Sequence, residues 1–235
     1  MPESQLYIHD LKDFSRHDRD RVARRSTAVK SAPKIGNPTP LGLSAFAMST
    51  FVASFYSLGI FGVSVPNVLI GVAFFTGGVV QFASGMWEFK VGNTFGGTGF
   101  SAFGGFWASL GAIYMPAFGI QQAYGFIPVP TNAVLDSIGL CKTNCNYTES
   151  SVTFIFTLAC LRTNAGVLGA FVSLTVAFLA DTIYHLTPTN TIFLKVGGVF
   201  ELITSAIVFY CLAAVLLTPD LSPVSLPLYD LSKKD

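Results

Sequence analysis

Charge is scarce in this chain. Only 11% of its 235 residues are Asp, Glu, Lys or Arg, while 51% are hydrophobic. A soluble domain usually carries about 25% charged residues, so the composition excludes an ordinary soluble fold and fits a bilayer as solvent. The charge that exists is unevenly placed. Residues 1–36 hold 8 of the 14 Lys+Arg and 5 of the 13 Asp+Glu, which leaves a nearly uncharged body behind a polar, basic tail. Cysteine is also rare. Cys141 and Cys145 stand with three residues between them and no His pair nearby, a poor zinc pattern. Cys160 and Cys211 sit in apolar stretches and read as packing residues. The G-x-S-x-G, H-E-x-x-H and Walker A patterns are missing. Gly96-Gly97-Thr98-Gly99 follows no predicted strand, so it is not a nucleotide loop. Basic–aromatic patches are missing too. The chain is therefore expected not to be an enzyme, and to need no metal, cofactor or nucleic acid. Its first residues lack the apolar stretch of a signal peptide, so the first span is expected to direct insertion as well.

What the chain does have is long apolar stretches. A helix needs about 20 residues to cross a bilayer core. Leu41–Val63, Asn67–Trp87 and Gly99–Ile120 are uncharged, and Glu88 is expected to end the second of them. Gly166–Ala180 extends through Asp181 to Tyr184, and Ile192–Leu217 contains Lys195 and Glu201. A further segment, Val152–Leu161, is apolar for half a bilayer only and follows a polar stretch. It either crosses as a short span, borrows residues from around Ala133–Leu140, or does not cross. The reading is an all-α polytopic membrane protein, a six-helix bundle with an atypical fourth helix. Glycines crowd the second and third spans, as close helix approach in lipid requires.

Lys and Arg favour the cytoplasmic side. The basic tail and Lys90 then lie inside, and residues 121–151 lie outside with Asn146-Tyr147-Thr148, a glycosylation sequon. Cys141 and Cys145 share that oxidising side and could pair there. Six crossings put Arg162 and Lys233-Lys234 inside. This predicts a cytosolic polar tail (1–36), a six-span transmembrane domain (37–218) and a cytosolic C-terminal tail (219–235). The tail reads either as a solvated segment or as one whose basic end touches anionic headgroups.

Polar groups inside a bilayer are functional candidates. Gln81 could donate to a carboxylate or bond a neighbouring helix. Glu88 lies at the cytosolic edge next to Lys90, where it reads as an interfacial anchor. Asp181 and His185 are four apart and can share a helical face. Glu201 is deep and needs a partner. Residues 37–43 read Asn-Pro-Thr-Pro-Leu-Gly-Leu. Their prolines hold the chain extended ahead of a helix whose free amides and positive dipole end can attract a small anion.

Three segments resemble the acetate uptake transporter family: Asn37–Phe46; Trp87–Lys90 with Gly92–Gly96; and Phe171–Val176. The family more often has a small apolar residue at Thr39, usually Tyr at Phe103, and a full apolar helix where this chain has polar Leu140–Ser151. The resemblance implies six helices around a central pore, a homo-hexamer, and a midway apolar gate matching Phe46, Phe103 and Leu174. It implies transport of acetate and similar monocarboxylates with protons, through a plasma membrane. Substrate would be held by Asn37, Pro38, Gln81, Asn93 and Thr94. Glu88, Asp181 and Glu201 are the proton-coupling candidates. The alternatives are a non-transporting sensor or assembly partner, favoured by the missing Tyr hydroxyl and the polar fourth segment, and a passive small-solute or anion channel.

Overall fold

The computed structural model describes residues 35–62, 67–125, 147–187 and 190–232. Contacts divide the chain into Met1–Gly36 and Asn37–Asp235, and the fold below is that of the second unit. The tail, Cys141, Cys145, Asn146 and Lys233-Lys234 lie outside the described residues.

Six helices of more than two turns are described. They are α1 (Thr39–Leu58), α2 (Asn67–Lys90), α3 (Thr94–Tyr114), α4 (147–159), α5 (Ala165–Leu186) and α6 (Ile192–Leu216). Helix α1 starts where Asn37 Oδ1 accepts from the Thr39 amide at 3.0 Å, and it stops at Gly59, which is left-handed at φ 66°. That stop comes before the expected Val63. Helix α2 is π-wound over Val72–Val80. It runs past Glu88 to Lys90 rather than ending there, because that carboxylate is used inside the fold. Asn93 caps α3, and Pro116 follows its last turn, so α3 ends before the expected Ile120. Asn164 caps α5 by accepting from Val167 at 2.9 Å.

Helices α2 and α3 form a hairpin packed through glycine. A Cβ built on Gly104 would sit 2.8 Å from the Phe82 backbone nitrogen, and one on Gly111 3.1 Å from that of Phe74. Backbone meets backbone there only because no side chain intervenes. Helix α6 packs chiefly on α1 and α5. The C-terminal segment folds back to the start of α5, where Ala165 donates to the Tyr229 carbonyl and Leu231 to that of Thr163.

Helices α1, α2, α5 and α6 are long and apolar enough to cross a membrane. The glycines and serines of α3 leave it outside that set despite its 21 residues. Helix α4 is described from residue 147, within the polar stretch, and its described residues span only about 20 Å. The burial pattern is the reverse of a soluble protein's. Phe75, Val79, Phe82 and Met86 make an exposed apolar stripe on α2, while Gln81, Glu88, Thr153 and Thr204 are among the most deeply buried side chains. Lipid outside and polar contacts inside account for both.

Candidate functional site

Two cavities enter the bundle, about 250 and about 60 Å³ in volume. Phe46 of α1, Phe103 of α3 and Leu174 of α5 line both. Three helices thus contribute one residue each to a shared apolar partition. All three are buried, and Phe46 meets Phe103 edge-to-face with centroids 5.5 Å apart. Such a partition resists an ion, since stripping water from a carboxylate without replacement bonds is costly.

On one side of the partition, the larger cavity holds the chain's buried carboxyl pair. Asp181 of α5 and Glu201 of α6 both line it, Ser57 of α1 donates to Glu201 Oε2 at 3.0 Å, and Asp181 Oδ1 has no hydrogen-bond partner among the described residues. Gly197 makes room for the pair, because a Cβ there would collide with Asp181 Oδ1. Next to it, a Cβ on Gly198 would lie 2.8 Å from that of Ser57. The Gly197-Gly198 step therefore seats both neighbours of Glu201. Two carboxyl groups gathered in one buried cavity repel when both are ionised, which makes the pair a place where a proton can be stored. His185 lines the same cavity and its ring lies 5.2 Å from that of Tyr184. Thr50 and Trp107 also line it, and neither the Thr50 hydroxyl nor the Trp107 N–H has a hydrogen-bond partner among the described residues.

On the other side, the smaller cavity has a wholly apolar surface, although Gln81 and Thr204 are among the residues around it. Gln81 is fully buried, and its amide has no partner among the described residues. Thr204 is occupied, with Ser173 at 2.6 Å.

Glu88 has a different role from the other acids. Thr39 donates to its Oε1 at 2.5 Å and Asn93 to its Oε2 at 2.7 Å. Ser84 donates to the Pro38 carbonyl at 2.9 Å. Glu88 is 1% exposed, so it is no interfacial anchor but the joint between the segment before α1 and the α2–α3 turn. Asn93 is fully committed, because its oxygen also accepts from the Gly96 amide at 3.1 Å. Asn37 and Thr94 are exposed nearby, while Pro38 is buried.

The structure therefore brings Phe46, Phe103 and Leu174 together, and Asp181 with Glu201. It collects Asn37, Pro38, Glu88, Asn93 and Thr94 in a separate group, and leaves Gln81 alone at the smaller cavity. Ser57, Thr50 and Trp107 were missed by sequence reasoning. A serine, a threonine and a tryptophan in apolar helices carry no pattern that marks them.

The GPR1/FUN34/yaaH family profile matches residues 23–233. Ammonia transport outward protein 2 of Saccharomyces cerevisiae is 55% identical over 91 residues, 39% of this chain and 32% of that protein. Acetate permease A of Emericella nidulans is 37% identical over 189 residues, 76% of this chain and 61% of that protein. The chain thus aligns with less than two thirds of either relative. The solved structure of the bacterial acetate channel SatP superposes with a TM-score of 0.69 at 28% identity, covering 83% of this chain and 99% of that one.

Proposed function

The chain belongs to the GPR1/FUN34/yaaH family, and from that premise we propose that this integral membrane protein moves acetate and similar small monocarboxylates across the bilayer together with protons. The observation that carries the reading is the partition of Phe46, Phe103 and Leu174 between two cavities. The larger cavity gathers the carboxylate and supplies a proton from the Asp181–Glu201 pair. The neutral acid crosses the apolar partition into the smaller cavity, beside the buried Gln81. Names among similar proteins support the substrate: acetate permease A and the acetate channel SatP. Transport of this kind involves no covalent step. Asn37, Pro38, Asn93 and Thr94 shape the approach to the smaller cavity through the Glu88 joint rather than by gripping the anion.

The tail's charge favours cytosolic termini, and the family resemblance favours a plasma-membrane homo-hexamer. The test is uptake of labelled acetate by cells lacking their own permeases, with external pH followed. Saturable uptake with alkalinisation of the medium supports symport. Uptake without a proton signal favours the passive-channel alternative. No uptake from a chain that reaches the membrane leaves the sensor or assembly role.

A further inference from the structure

Phe103 carries no polar side-chain atom, so contact alone fixes its ring in the partition. Phe46 meets one side of it edge-on at 5.5 Å. Against it also stand Phe156 of α4 and Phe171 of α5, with centroids at 6.0 and 6.2 Å and planes tilted by 39° and 41°. Those two rings stack on each other at 5.5 Å and 14°, and Phe95 meets them edge-on at 5.5 and 5.8 Å. A contact between the Thr157 and Thr175 hydroxyls at 3.1 Å ties α4 to α5 at the same level. Phe171 lines the smaller cavity, whereas Phe156 lines neither cavity and is 8% exposed.

We infer that Phe156 is a positioning residue for the partition. By bracing the Phe103 ring it sets how far the passage opens, and so which chain length of carboxylate passes. The inference rests on the transport reading above. It gives the short α4 a specific task at mid-bundle. A leucine at 156 would remove the flat surface that Phe103 and Phe171 share, and rings swing into space that packing no longer fills.

The experiment compares propionate with acetate uptake in the full chain and its Phe156→Leu variant. The propionate-to-acetate ratio should rise about 10-fold, the discrimination that one methylene typically carries in an apolar site. A merely structural role would lower both fluxes and leave the ratio unchanged, which would overturn the inference. A second readout does not depend on transport: 4-fluorophenylalanine is placed at position 103 and followed by 19F NMR in the purified chain. The line should sharpen in the Phe156→Leu protein as the ring gains freedom. If the line is unchanged, the inference fails. If it sharpens while no form of the chain carries acetate, the bracing stands and the transport reading fails. Should the leucine variant not reach the membrane, Phe156→Met repeats both measurements.

Discussion

Leu174 and Phe103 line both cavities, and the proposed passage can be tested there one side chain at a time. Leu174→Ala removes an aliphatic wall of the partition, so acetate flux should rise and larger carboxylates such as succinate should enter; competition by unlabelled succinate measures this. Phe103→Tyr offers a hydroxyl where none exists, worth about 0.5–1.5 kcal/mol to the neutral acid in good geometry, so acetate uptake should improve. Unchanged rate and selectivity in both variants would show that these residues do not gate. Glu201→Gln should lower acetate uptake and the accompanying alkalinisation together, since the amide can hold the Ser57 contact but cannot release a proton. The resemblance pointed by number to the three residues that the fold brings together in the partition. The carboxyl pair was not legible, because Asp181 and Glu201 sit on different helices and meet only through the relative rotation of α5 and α6. Asp181 with His185 was the pairing a single helix could suggest. The Glu88 joint was hidden for the same reason: the α2–α3 turn brings Asn93 to it, but Thr39 arrives only through the packing of α1 on α2.

At the scale of elements, neighbouring glycines of α3 have opposite roles. Gly104 lies against the Phe82 backbone, whereas a Cβ on Gly105 would meet nothing within 4 Å. Gly104→Ala should therefore force the α2–α3 hairpin apart and cost about 1–3 kcal/mol. Gly105→Ala should be neutral, or stabilise by up to about 1 kcal/mol through helix propensity. Thermal unfolding in detergent, with membrane abundance alongside, checks the contrast; equal effects would mean the hairpin packs some other way. The glycine crowding was visible in sequence, but not which glycines face a partner. Helix existence was legible from apolar length. Helix ends were less so, since Gly59 and Pro116 end α1 and α3 inside stretches that hydropathy carries further.

For the whole molecule, sparse charge and long apolar runs indicated a bilayer, and the inverted burial pattern agrees with that solvent. The short α4 remains the departure, yet it contributes Phe156 to the same buried cluster as the three gate residues. The central claim is that small carboxylates cross between the two cavities at that cluster. The most direct measurement is labelled acetate uptake into liposomes holding the purified chain, with and without an inward proton gradient. The account predicts saturable uptake, accelerated by the gradient and raised further by Leu174→Ala. Uptake no faster than into protein-free liposomes, under either condition, would contradict it.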